Sequence, residues 1–280
     1  MTLRLFHFPI IDFHVHLFPD RMFDAIWKAF RRDYNWDVFY QLYTPEAMSF
    51  LRGCGVETIV YSNYAHKAGV ADFLNQWNLE LLEREANLYC FAAFHPDDPD
   101  LKPRVAKLLA HPRILGFKLQ LLVQRFFPDD ERLFPLYEMV IEAGKRILMH
   151  VGTGPVANEF VGVTPFRRLL KRYPKLKVNV PHMGGREYDP FLELLDEFPD
   201  LRLDTAFSFL PEHDASFPGG PAALLRYQDR IVYGSDFPNL LFPYETEIQA
   251  LQAMNLGEEF YQKIFRENGL KLLPTSDNKS

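Results

Sequence analysis

Short apolar runs alternate with helix-period segments along the whole chain. The runs are Ile10–His16, Glu57–Asn63, Leu88–His95, Ile114–Gln120, Arg146–Val151, Lys177–His182, Leu201–Phe207 and Ile231–Asp236. Their starts advance by 47, 31, 26, 32, 31, 24 and 30 residues, the spacing of strand–helix–strand units. Each run is nearly continuous in apolar residues, which predicts parallel strands buried on both faces. Between them Val70, Phe73, Leu74, Trp77 and Leu81 recur at helical spacing. Leu136, Met139, Val140 and Ala143 do the same, as do Phe166, Leu169, Leu170 and Tyr173. Thr44-Pro45 and Thr164-Pro165 place a capping hydroxyl before a proline suited to the first helical position. Gly144 stands where a helix should stop.

Eight alternations in one composition regime predict an α/β fold, a single-domain (β/α)8 TIM barrel over residues 1–273, with 274–280 as a flexible tail. An open doubly wound sheet is the alternative. To bind nucleotides it would need a glycine-rich loop after its first strand, and that position holds His14-Val15-His16-Leu17-Phe18-Pro19. The first interval is the longest, so residues 18–43 are read as a helical insertion. Its aromatics (Trp27, Phe30, Tyr34, Trp36, Phe39, Tyr40 and Tyr43) suit a lid, a subunit contact in a homodimer, or ordinary core packing.

Composition narrows the classes. A chain of 280 residues that is 48% apolar can bury one large core. Thirty-one basic residues against 37 acidic ones leave a charge of −6, which argues against nucleic acid as a partner. Cys54 and Cys90 cannot form a disulfide framework and read as reduced, buried thiols of a cytoplasmic chain. The longest stretch free of charged residues is Ile147–Asn158, well short of the roughly 20 residues that span a membrane. The apolar N-terminus carries His7, Asp12, His14 and His16 and no small-residue cleavage site, unlike a signal peptide.

In a barrel the chemistry lies where the strands end and the loops converge. Of nine histidines, His14, His16, His95, His150 and His182 fall at predicted strand ends. His66 and His213 lie in loops of the same face, while His7 and His111 fall on the other side. Asp236 ends the eighth run. Residues at i and i+2 share a strand face, so His14 and His16 both point into the mouth. Two adjacent imidazoles that must stay neutral suit a divalent cation between them, zinc above all. The alternative for each histidine is a hydrogen-bonded core residue. For Asp236, in Gly234-Ser235-Asp236-Phe237-Pro238, it is an Asx turn or helix cap. His95, before Pro96, either starts a turn or reaches the pocket. Lys118, inside the fourth run, has three possible roles: binding a substrate carboxylate, being carboxylated to bridge two metals, or snorkelling to solvent.

These residues in this order resemble the amidohydrolase superfamily, and within it the amidohydrolase-related branch (amidohydrolase 2). The resemblance runs from Ile10 to about Leu273. It rests on Asp12-Phe13-His14-Val15-His16, Gly116-Phe117-Lys118-Leu119, Met149-His150-Val151-Gly152, Pro181-His182-Met183-Gly184-Gly185 and Gly234-Ser235-Asp236-Phe237-Pro238. Glu267-Asn268-Gly269-Leu270-Lys271-Leu272 resembles the family's closing helix.

The resemblance implies that His14, His16 and Asp236 hold a catalytic metal, with His150 as a further ligand. In single-metal members the counterpart of His182 is a catalytic acid or base. In two-metal members it is a ligand, and the counterpart of Lys118 is carboxylated. The branch favours one metal per chain, with two possible. It contains hydrolases and non-oxidative decarboxylases. Decarboxylases resembling aminocarboxymuconate semialdehyde decarboxylase follow the sixth-strand histidine with a glycine-rich turn and a nearby proline, whereas here proline comes only at Pro190. TatD-like nucleases carry glutamate where Lys118 stands.

The expectation is a metal-dependent hydrolase using activated water on a small anionic substrate. The alternatives are a decarboxylase and, more remotely, a non-catalytic metal-binding barrel. Asp236 would accept the water's proton, and His182 would stabilise oxyanion charge or share the proton work. Lys118, Asn63, His66 and Arg186 would contact substrate. Lys67, Lys118, Arg125 and Arg186 are the cations that suit a carboxylate. Phe126, Phe127, Phe207 and Phe209 suit a ring.

Overall fold

All eight apolar runs form strands. In the computed structural model, which describes residues 6–154, 156–210 and 216–274, they are β1 (Ile10–His16), β2 (Val56–Ser62), β3 (Leu88–Ala93), β4 (Ile114–Gln120), β5 (Arg146–His150), β6 (Lys177–Val180), β7 (Leu201–Asp204) and β8 (Ile231–Val232). Neighbours pair in parallel in chain order. The segment after β8 brings the sheet back to β1. Phe13 donates its N–H to the Tyr233 carbonyl at 2.9 Å, Asp236 donates to His14 at 2.7 Å, and His16 donates to Phe237 at 2.8 Å. The fold is a (β/α)8 barrel. The tail from 275 onward and His213 lie outside the described residues.

Helices fall where the apolar period placed them, at Ala71–Arg84, Phe134–Glu142 and Val163–Arg172. Gly144 follows the second of these with φ 64, a backbone that glycine takes without a Cβ clash. The expected hydroxyl caps do not form. Helix Thr44–Gly53 has proline in its first turn, but the Thr44 hydroxyl donates to the Phe18 carbonyl at 2.9 Å. Helix Val163–Arg172 starts one residue before Thr164 and has no side-chain cap.

The 18–43 segment contains helix Asp20–Tyr34; of its aromatics Phe39 is exposed, Tyr40 packs on Phe50 and Phe237, and the rest divide between two jobs. Phe18, Phe23 and Trp27 pack with Tyr64, Ala65 and Leu74 in a second buried cluster. Phe30, Tyr34 and Trp36 turn toward the barrel mouth, Tyr34 stacking on Trp36 at 4.7 Å. Cys54 and Cys90 are free and buried.

The floor of the barrel is a layer of Ile11, Phe13, Val60, Phe91, Leu115, Leu148 and Val232. Two register irregularities separate this floor from the mouth. In β1, Asp12 pairs with Ile59 but Val15 with Tyr61, one extra residue on the β1 side. In β4, Ile114 pairs with Cys90 but Gly116 with Phe91, again one extra residue. Such bulges re-aim side chains. Phe13 and Leu115 belong to the inner layer, whereas Val15, Phe117 and Leu119 pack outward against the helices. His14, His16 and Lys118 therefore face inward. Gly116 makes the second bulge possible: with φ 146, a Cβ there would lie 1.7 Å from the Arg146 carbonyl oxygen.

Candidate metal centre

β1 delivers His14 and His16 side by side, and the turn after β8 delivers Asp236. His16 Nε2 lies 2.9 Å and His14 Nε2 3.3 Å from Asp236 Oδ1. The imidazole centroids are 5.1 Å apart. Asp236 sits at φ 64, held by its own N–H to the His14 carbonyl. The same turn needs Gly234, since a Cβ there would lie 2.6 Å from His14 Cβ and 3.1 Å from Asp204 Cγ.

The second nitrogen of each ring decides which lone pairs are available. A carbonyl oxygen only accepts. His16 Nδ1, 3.3 Å from the Ser62 carbonyl, and His182 Nδ1, 3.0 Å from the Ala206 carbonyl, therefore carry the proton. A singly protonated ring then has its lone pair on Nε2. Burial, and then the charge of Lys118, holds His14 well below the ordinary histidine range, so it is neutral. Its Nε2 has no hydrogen-bond partner. Two imidazoles and a carboxylate converging on one point are a donor set that fits a divalent cation.

His150 is not brought into this group. Its Nε2 faces the Gly154 carbonyl at 3.1 Å and its Nδ1 the Gln120 side-chain amide at 3.4 Å. As placed it offers an ion no lone pair, although its ring lies 4.9 Å from that of His182. His182 lies 5.4 Å from the His14 ring.

Lys118 is fully buried, and its Nζ has no hydrogen bond. Snorkelling is thereby excluded. Burial drives its pKa down to about 8, partly offset by Asp236 and Asp204.

The sequence reading did not single out Asp204. It ends β7, 1% exposed, with Oδ2 at 2.9 Å from His14 Nδ1. Its Oδ1 accepts the backbone N–H of His182 at 2.9 Å and of Ala206 at 3.2 Å. The apolar run Leu201–Phe207 outlasts the strand by three residues, which hides Asp204 inside it. An acidic residue in Leu-Arg-Leu-Asp-Thr was the signal.

Above this floor lies a pocket of ≈ 80 Å³. Phe30, Tyr34 and Trp36 of the insertion form one wall, and Tyr64, Leu122, Val123, Phe207, Asn239 and Leu241 the others. His16, Gln120, His150, His182 and Asp236 line the base. Glu247, buried in helix Glu245–Ala253, accepts the backbone N–H groups of Phe207 and Phe209 at 2.9 Å each and so fixes the β7 loop. Burial raises its carboxyl to about 8.

Several expected contacts lie elsewhere. Asn63 is buried behind the barrel, its Nδ2 donating to Asn78 Oδ1 at 2.6 Å and the Leu17 carbonyl at 3.3 Å. It ties the β1 end to helix Ala71–Arg84 rather than meeting substrate. His66, Lys67, Arg125 and Arg186 are exposed and do not line the pocket. His95 opens a turn, accepting the Asp97 N–H at Nδ1. Phe126 packs on His95, Phe209 packs on Phe217, and Phe127 is exposed. Of those four phenylalanines Phe207 alone lines the pocket.

The amidohydrolase family model matches residues 11–275. No curated protein matches the chain. Among solved structures, a 5-carboxyvanillate decarboxylase from Novosphingobium aromaticivorans, complexed with manganese and 4-hydroxy-3-methoxy-5-nitrobenzoic acid, is 14% identical with TM-score 0.66. That match covers 97% of this chain and 99% of the other. A putative 2-pyrone-4,6-dicarboxylic acid hydrolase from Pseudomonas putida is 19% identical with TM-score 0.64, covering 95% and 98%. A 4-oxalomesaconate hydratase from Rhodopseudomonas palustris is 18% identical with TM-score 0.58, covering 95% of each. At these identities the likeness extends to the fold. Among the described residues no helix is long and apolar enough to cross a membrane.

Proposed function

The chain belongs to the amidohydrolase family, and from that premise we propose that it is a metal-dependent hydrolase of a small molecule. His14, His16 and Asp236 would hold one divalent ion. The observation that carries this reading is the convergence of two bare imidazole nitrogens on one Asp236 oxygen at the base of a pocket. The ligand set suits zinc, and manganese is the ion in one structural neighbour. Such an ion, when bound, lowers the pKa of a coordinated water toward about 7 and polarises a carbonyl.

The chain's own groups supply the proton transfers. Asp236, whose side chain keeps 16% exposure, takes the proton from attacking water and returns it to the leaving group. His182 presents a bare Nε2 because its Nδ1 donates to Ala206. Nε2 is therefore the ring atom that faces the pocket for proton transfer or for contact with a developing oxyanion. Lys118 lies outside the lining, as do Lys67, Arg125 and Arg186, but it is near enough to act on Asp236 through charge, so a substrate bearing one negative charge suits the site better than a polyanion.

A second reading is favoured by the apolar walls. Against Trp36, Phe207 and Leu241 a substrate carboxylate loses solvation, which favours loss of carbon dioxide, with His182 as the group placed to deliver a proton to carbon. The test is a panel of lactones, amides and aromatic carboxylic acids, with carbon dioxide monitored. Hydrolysis that disappears on chelation and in Asp236→Asn supports the first reading. Release of carbon dioxide selects the second, and full activity after chelation refutes both.

A further inference from the structure

We propose that Asp204 is the positioning residue of the ion seat: its carboxylate keeps the His14 proton on Nδ1 and thereby keeps His14 Nε2 free to bind a divalent cation. This rests on the reading of His14, His16 and Asp236 as that seat.

The geometry of Asp204 leaves it little freedom. Its Oδ1 is held by two backbone donors, His182 N–H at 2.9 Å and Ala206 N–H at 3.2 Å. Its Oδ2 then stands 2.9 Å from His14 Nδ1, with the side chains 2% and 0% exposed. Neither atom has a hydrogen-bond partner, so the contact acts through charge: at that distance the carboxylate favours the ring nitrogen that carries the proton, while Asp236 stands farther from His14 at 3.3 Å and is shared with His16. The turn after β8 packs tightly on both residues, since Gly234 has no room for a methyl group against either side chain.

The two nitrogens of an imidazole point in different directions. Asp204 therefore cannot share the ion that His14 Nε2 and Asp236 hold. Asp204, His14 and His182 also lie close enough together to be considered as a separate ion seat. Filling both seats would strip His14 of both protons, and His182 Nδ1 is already committed to the Ala206 carbonyl. A carboxylate that orients a ligand histidine through its far nitrogen is the arrangement that remains.

Long-range proton–nitrogen spectra of the metal-free protein report the His14 tautomer, and loss of the free Mn²⁺ resonance signal on titration reports binding. Asp204→Asn keeps an acceptor for the two backbone donors but presents an amide N–H to His14 Nδ1, which imposes the opposite tautomer. Wild type should show His14 protonated on Nδ1 and bind one equivalent of Mn²⁺. Asp204→Asn should show the proton on Nε2 and bind Mn²⁺ about 10- to 100-fold more weakly, with metal-free unfolding unchanged. His14→Ala should not bind. Wild-type affinity in Asp204→Asn, or a drop from two equivalents to one, overturns the proposal while leaving the seat intact. If Asp204→Asn fails to fold, a wild-type His14 protonated on Nε2 overturns it alone. Equal failure of wild type and His14→Ala to bind Mn²⁺ overturns the seat itself.

Discussion

Replacing Lys118 with methionine isolates what a buried charge costs this barrel. The lysine is fully buried with no hydrogen bond to its ammonium, and Gly116 is the residue whose bulge turns it inward. Burial takes its pKa from the ordinary 10.5 down to about 8. At 1.36 kcal/mol per pH unit, keeping the proton in the folded state costs about 3 kcal/mol relative to the unfolded chain. Because the folded pKa is the lower one, that cost is present in full below about pH 8 and fades as pH rises toward 10.5. Methionine keeps the length and apolar stem without the charge. Metal-free Lys118→Met should gain about 1–3 kcal/mol at pH 7, read by denaturant unfolding, and the gain should vanish near pH 10. Activity should fall, since a group retained at such cost is retained for chemistry. A variant less stable than wild type at pH 7, or a gain indifferent to pH, would show that the ammonium is compensated and refute the reasoning. Loss of bound metal in the same variant would point instead to a carboxylated, bridging lysine.

Three further outcomes follow from the same geometry. Gly234→Ala puts a methyl 2.6 Å from His14 Cβ; overpacking of this kind costs about 1–3 kcal/mol and should also weaken Mn²⁺ binding, so wild-type values for both would contradict the packing argument. Glu247, raised from 4.5 to about 8 by burial, contributes stability that is complete below pH 4.5 and is lost as pH climbs through 8. The unfolding free energy of wild type should therefore decline over that window relative to Glu247→Gln, which cannot ionise, and parallel curves would be the contrary result. Mn²⁺ at 100 times its dissociation constant should stabilise wild type by about 2.7 kcal/mol through mass action; a thermal scan should show the rise in wild type and none in His16→Ala.

Much of the barrel is readable because burial on both faces leaves one mark on every strand, a continuous apolar run. Where the run and the strand end together, as at His16 and Gln120, the strand-end rule also finds the residues at the mouth. Where the run outlasts the strand, the rule fails. β7 stops at Asp204, yet Thr205-Ala206-Phe207 continues the apolar pattern, so the carboxylate that meets His14 read as a strand interior. Asn63 failed for the opposite reason. Its place after β2 suggested a loop facing the pocket, but Asn78 on helix Ala71–Arg84 supplies both a donor and an acceptor to its amide. That pairing spans a tertiary contact no local pattern records. The cations misled because charge alone does not say whether a loop folds over a pocket or away from it.

The bulges explain why the chemistry-bearing side chains do not follow from simple alternation. With strict period two, the face carrying Ile11 and Phe13 would next carry Val15 and Leu17, and His14 and His16 would point into the helix layer. One inserted residue in β1 exchanges the faces midway, so a greasy floor and a polar mouth are built from one strand. β4 does the same with Leu115 below and Lys118 above. Both insertions sit at the boundary between the two layers. With this sequence a regular first strand would turn both histidines out of the mouth, so the candidate ion seat depends on that irregularity.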